Sequence, residues 1–137
     1  MLNFGSCETT TEHSLIVLKE KQSKITFENR DHRKVRKIKI DGCVITEGLR
    51  CDYLLIPDNR VENYVELKGS DVSHAVKQLK RTITKVSENP SKWEKCCFII
   101  SSRCPLFTPK IQIIKYKFKK QYNAKFIIKN SPAKYKL

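Results

Sequence analysis

Arg50-Cys51-Asp52-Tyr53-Leu54-Leu55-Ile56 and Val61-Glu62-Asn63-Tyr64-Val65-Glu66-Leu67-Lys68 are two β-rich runs separated by Pro57-Asp58-Asn59-Arg60, and the reading of this stretch decides the fold. Proline presets φ for a turn and Asp and Asn cap it, so the two runs are expected to pair as a hairpin. Folding about Asp58-Asn59 brings residues whose numbers sum to about 117 to 118 opposite one another. Asp52 then lies beside Val65 or Glu66, while Glu66 and Lys68, two apart, project from one face. Two acids and an amine converge at the end of the hairpin away from the turn.

Downstream, Gly69-Ser70-Asp71 breaks the second strand and offers Ser70 or Asp71 as the N-cap of a helix running to about Ser87, with Val72, Ala75, Val76, Leu79 and Ile83 on one face. Asn89-Pro90 closes it. Cys96 to Ser101 is nearly all apolar, the pattern of a strand buried on both faces. Pro105 to Pro109 reads as a loop. From Lys110, the spacing of Ile111, Ile114, Phe118 and Tyr122 predicts a basic amphipathic helix. Lys125 to Lys129 predicts a last strand, so residues 110–130 form a basic helix-strand unit followed by a tail, 131–137.

Upstream, Thr9 with Glu12 makes a capping box ahead of Leu15-Ile16-Val17-Leu18, and a short helix is expected over Thr9 to Gln22. Lys24 to Glu28 and Val35 to Ile45 alternate polar and apolar residues and read as strands. The whole of 1–137 is expected to be one α/β domain, in the order α-β-β-β-α-β-α-β, with a central mixed sheet flanked by helices.

The charge narrows the partners. Against 14 Asp+Glu stand 28 Lys+Arg, a formal net charge of +14. Such a field suits a phosphate-rich polymer, because neutralising its phosphates releases condensed counterions. Arg30 to Lys39 holds seven basic residues, His32 included, against Asp31, and Lys110 to Leu137 holds nine lysines and no acid. Two basic stretches are thus available to flank a substrate groove. Candidate nucleic-acid contacts are Arg33, Lys34, Arg36, Arg50, Lys77, Lys115, Lys119 and Lys120.

Cys7, Cys43, Cys51, Cys96, Cys97 and Cys104 show no CxxC and no Cys/His ligand spacing, so they read as free thiols of a reducing, cytoplasmic protein. Met1 to Ser14 lacks the features of a secretory leader, and no apolar run approaches the ~18 residues of a membrane span.

Two neighbouring carboxylates on an apolar hairpin repel each other unless a cation holds them. Mg²⁺ takes one or two protein carboxylates and leaves its other positions to water and phosphate oxygens, which makes phosphodiester hydrolysis the chemistry such a set suits. Asp52, then Glu66-Leu67-Lys68 at a strand end followed by a helix, resembles the PD-(D/E)XK nuclease superfamily, whose members include restriction endonucleases and Holliday-junction resolvases. The resemblance spans about Arg36 to Ile100. It implies a restriction-endonuclease-like core, Mg²⁺ or Mn²⁺ held by Asp52, Glu66 and the Leu67 carbonyl, and Lys68 as the catalytic lysine. Gln78 looks like the supporting Gln-Leu of RecB-like members, and Glu12 resembles an acid that some members carry on their first helix. Cys51 stands where the motif has proline. The literal Pro57-Asp58 lies at the turn tip, about 20 Å from Glu66 at ~3.3 Å per residue, and is rejected.

His74 is an i, i+4 neighbour of Gln78 and faces the same groove on that reading. His13, His32, Trp93 and Tyr116 read as surface or core residues without a role. The expected function is Mg²⁺-dependent cleavage of DNA, as a homodimer or as a module of a larger defence or mobile-element system. The alternatives are RNA cleavage, or a catalytically inactive nucleic-acid-binding protein of the same fold.

Overall fold

The computed structural model describes residues 3–67, 71–102 and 108–137. Strands dominate the first half of the chain more than the sequence suggests, with six of them before the first α-helix. After a short 3-10 turn (Gly5–Cys7) come β1 (Glu8–Thr11), β2 (Leu15–Glu20), β3 (Ser23–Glu28), β4 (Val35–Lys39), β5 (Tyr53–Pro57) and β6 (Glu62–Leu67). Then follow α1 (Val72–Val86), β7 (Lys95–Ser101), α2 (Pro109–Tyr122), β8 (Ala124–Asn130) and β9 (Ala133–Lys136).

Six strands form one mixed sheet in the order β1-β4-β5-β6-β7-β8, and three form a second in the order β2-β3-β9. The expected hairpin is present, with Tyr53 opposite Val65, Leu54 opposite Tyr64 and Leu55 opposite Asn63, a register summing to the expected 118. β6, β7 and β8 run parallel, joined through α1 and α2. Parallel neighbours need such crossovers, and strands covered on both faces need apolar residues at both parities. All six residues of β6 are buried, as are six of seven in β7.

The layers follow from these parities. Ile38, Leu54, Ile56, Tyr64, Cys97, Ile99 and Phe126 point to one face, where Ala75, Leu79 and Ile83 of α1 and Ile111 and Phe118 of α2 cover them. Val35, Leu55, Val65, Phe98 and Ile100 point to the other, where Ile16, Leu18, Ile25 and Phe27 of the small sheet cover them. Phe27, Phe98 and Tyr135 stack edge to face across this second interface, with ring centroids 4.8 to 6.2 Å apart.

Both helices are capped as their sequences direct. The Asp71 carboxylate accepts from the His74 N–H, settling the choice between Ser70 and Asp71, and Ser87 ends α1. Thr108 accepts from the Ile111 N–H, Pro109 occupies the first turn of α2, and Asn123 at φ 52° terminates it in the left-handed conformation. The expected loop over 105–109 lies largely outside the described residues.

Five expectations are corrected. No helix spans Thr9 to Gln22. Thr9-Thr10-Thr11 pair with Lys37, Arg36 and Val35 as an edge strand, and Leu15 to Leu18 alternate exposed and buried with period two. The α-β-β-β-α-β-α-β order therefore does not hold, and the sheet carries helices on one face and a small sheet on the other. Residues 131–137 are no tail, because Ala133–Lys136 pair in parallel with β3. Cys7 and Cys43 are joined in a disulfide across 36 positions, so they are not free thiols; the β1–β4 pairing places them together, and nothing in their linear spacing marks it. Val35 to Ile45 is a strand only to Lys39, after which the chain turns through residues 40–45. Among the described residues no helix is long and apolar enough to cross a membrane.

Candidate active site

The C-terminal ends of β6 and β7 and the first turns of α1 meet at one rim of the large sheet, the position where open parallel sheets offer a crevice. Asp52 and Glu66 stand there, 4% and 6% exposed. Glu66 shares the helix-covered side of β6 with Tyr64. The Asp52 carboxylate accepts a 2.7 Å hydrogen bond from the Leu67 N–H, which fastens the start of β5 to the end of β6. The Asp52 N–H donates to the Val65 carbonyl at 3.0 Å, and the Asp52 carbonyl accepts from the N–H groups of Ile40 (3.0 Å) and Asp41 (3.3 Å). Backbone and side chain of Asp52 are thus both fixed, as a site that must hold geometry requires.

Cys51 lies in the field of both acids. Burial pushes its thiol well above the ordinary value, and the carboxylates of Glu66 and Asp52 push in the same direction, against a hydrogen bond with Thr82 that lowers it. A thiol held this way is protonated and packs as a small apolar group, in keeping with its place in the core.

Helix α1 clamps the segment leading into β5. The Gln78 side-chain N–H donates to the Arg50 carbonyl at 3.0 Å. Thr82 Oγ1 accepts from the Cys51 N–H at 2.9 Å while donating to the Gln78 carbonyl at 2.8 Å. Arg81 Nη1 donates to the carbonyls of Glu47 (2.9 Å) and Leu49 (2.7 Å). Gly48, at φ 80°, admits that guanidinium, since a Cβ there would meet it at 2.7 Å. Gln78 is therefore a positioning residue two places from Asp52. The sequence reading missed Thr82 and Arg81; their i+3 and i+4 spacing from Gln78 was the available signal.

Of the other candidates, Lys68 lies outside the described residues. Glu12 is exposed between β1 and β2 and stands on no helix. His74 is exposed, unlike Gln78. Arg33 lies 3.8 Å from Asp58 at the turn tip, so Arg33 and Lys34 are at the far end of the hairpin, about 20 Å along the strand from Asp52 at ~3.3 Å per residue. Arg36 is held by Glu8 through bonds of 2.6 and 2.8 Å, and Arg50 by Asp41 at 2.6 Å. Those two guanidiniums serve the fold. Lys77 and the α2 residues Lys119 and Lys120 remain exposed, and Lys115 is half-buried.

Comparison with known proteins finds no counterpart: no family model, no curated protein and no solved structure matches the chain. The donor set has therefore to be judged by its own chemistry. Among the described residues no group of three or more His, Cys, Asp and Glu is placed to hold a metal ion, which leaves the Asp52–Glu66 pair. Two carboxylates fit a hard cation that keeps water and substrate oxygens in its other positions.

Proposed function

We propose that the protein is a metal-dependent nuclease of the PD-(D/E)XK type, with Asp52 and Glu66 as the residues that hold Mg²⁺ or Mn²⁺ and Lys68 as the amine beside the scissile phosphate. The observation that carries this reading is the bond from the Leu67 N–H to the Asp52 carboxylate, one residue from buried Glu66. Like charges at one buried position are costly in a fold that could have used apolar residues there, and a site for a cation gives them a reason to persist. The net charge of +14 supports a phosphate polymer as substrate.

A bound divalent ion would supply stabilisation of charge on the phosphate and a more acidic water. The chain's own contribution is geometric and electrostatic. Asp52 stays in place through its backbone bonds and through the Leu67 N–H, Gln78 and Thr82 keep the 50–51 segment from shifting, and the Lys68 ammonium offsets negative charge that grows on the phosphate oxygens.

Cleavage of plasmid, single-stranded DNA and RNA in Mg²⁺ or Mn²⁺, with EDTA as the blank, tests this. Wild type is expected to cut DNA. Glu66→Gln and Lys68→Ala are expected to lower the rate by about a thousandfold, the scale of losing one centre that stabilises transition-state charge. Cutting of RNA alone would move the substrate to that polymer. No metal-dependent cutting of any of the three, or full activity in Glu66→Gln, overturns the nuclease reading.

A further inference from the structure

A basic concavity lies on the other side of the same rim. It is lined by Lys24 and Thr26 of β3, Lys129 and Asn130 at the end of β8, and Pro132 and Lys134 around the start of β9. It exists because the last residues return to the sheet. Lys134 is brought opposite Thr26 by the parallel β3–β9 register, and the Ser131 hydroxyl accepts from the Lys24 N–H and donates to the Gln22 carbonyl, which ties the β8–β9 turn to the start of β3. Three ammonium groups and no carboxylate line the space. Among the described residues none of the three lysines takes part in an ion pair. Ammonium groups gathered this way repel one another and raise the local potential for an anion.

Its place relative to the acids is set by ladder register. Leu67, Ile100 and Lys129 are aligned across β6, β7 and β8. Lys129 is thus two strand spacings from Leu67, about 10 Å at ~4.8 Å each. At ~3.4 Å of axis per nucleotide, the spacing along one strand of a duplex, that distance is about three nucleotides. Lys129 and Glu66 project from opposite faces of the sheet, since Ile128 shares the helix-covered side and Lys129 alternates with it. A polymer linking the two places must cross the rim.

We propose that Lys24, Lys129 and Lys134 form a phosphate subsite that seats the sugar-phosphate backbone of a nucleic-acid strand about three nucleotides from the Asp52–Glu66 pair. The subsite rests on nucleic acid being the substrate, and it is independent of whether the carboxylates cleave it. Its contacts are to backbone phosphates, so it contributes affinity and direction of approach without base preference.

Fluorescence anisotropy with a labelled single-stranded oligonucleotide in EDTA, over a series of salt concentrations, separates binding from cleavage. The triple variant Lys24→Gln/Lys129→Gln/Lys134→Gln is compared with Lys85→Gln/Lys92→Gln/Lys117→Gln, three exposed lysines on and between the two helices, which removes the same charge elsewhere. The expected result is a loss of about tenfold in affinity, and a log-log salt dependence shallower by about two, in the first variant only, as ~0.7 per phosphate contact on a single strand predicts. Equal losses in both variants, or a larger loss in the second variant, overturn the assignment. Inorganic phosphate is added as a competitor; displacement at millimolar levels or above agrees with a backbone groove, and displacement at micromolar levels would make this a free-anion site instead. Wild type that cuts nothing yet shows the selective loss removes the nuclease reading and leaves the subsite standing.

Discussion

The β5–β6 hairpin carries buried acids at both ends, and the two ends are built on different terms. At the turn end Glu62 is 1% exposed, and its oxygens accept from the Tyr64 hydroxyl (2.8 Å), the Ser87 hydroxyl (2.7 Å) and the Glu88 N–H (2.9 Å). Lys95, its ladder neighbour, is equally buried and donates to the carbonyls of Asn89, Trp93 and Tyr122. Burial pushes the Tyr64 phenol up, so its hydroxyl keeps the proton that it donates to Glu62. That arrangement joins the end of α1 to the sheet. At the other end two acids share one rim, where the Asp52 carboxylate accepts from the Leu67 N–H and the Gln78 and Thr82 side chains fix the backbone of the 50–51 segment. A carboxylate enclosed by donors serves the fold; a pair of carboxylates held in place by positioned backbone is suited to binding something from outside.

That contrast can be broken by substitution. Glu62→Ala is expected to cost about 3 kcal/mol of stability, because it strands two hydroxyls, an amide and the neighbouring Lys95 charge in the interior. Glu66→Gln is expected to change stability by less than about 1 kcal/mol or to raise it, since it removes one of two like charges. Urea denaturation without divalent ions reads both, and a Glu66→Gln loss as large as that of Glu62→Ala would erase the distinction.

Gln78→Ala sharpens the picture of the clamp. With the Arg50 carbonyl released, cleavage is expected to fall about tenfold in kcat with KM little changed, and Gln78→Glu, which cannot donate, should not restore it. An unchanged rate would show that Thr82 and Arg81 hold the segment without it.

The smallest effect concerns the edge strand. The hydrogen-bonded Arg36 guanidinium holds the Glu8 carboxyl below its usual value of 4.5, so the pair's contribution is complete above that pH and is lost as pH falls through the lowered value. Comparing acid unfolding of wild type and Glu8→Gln should show a difference of about 1 kcal/mol near neutrality that closes in acid. A gap that persists below the folded value would assign the effect to packing.

The parts of the fold legible in the sequence are those with strong punctuation and a clear period. Pro57-Asp58-Asn59-Arg60 set the hairpin register, and with it the meeting of Asp52 and the end of β6. Asp71 and the Val72-to-Ile83 spacing set α1, and the apolar run at Cys96 set the central strand. At Leu15-Ile16-Val17-Leu18 both parities are apolar, because the outward positions Leu15 and Val17 are also hydrophobic, so period two was hidden and the Thr9/Glu12 pattern favoured a helix. β9 was missed because a four-residue alternation has meaning only beside its partner, and that partner is more than a hundred residues away. The Cys7–Cys43 bridge and the contacts of Arg81 and Thr82 with the 47–51 segment are likewise products of tertiary approach, which no local pattern encodes.

The return of the chain to β3 also bears on how the molecule assembles. Lys24 and Ser131 meet across 107 positions, and the parallel ladder beyond them has no short turn to nucleate it. Closure of the β3–β9 ladder is then expected to be a slow step of folding, and until it happens Tyr135 is missing from the aromatic cluster that Phe27 and Phe98 form over the large sheet.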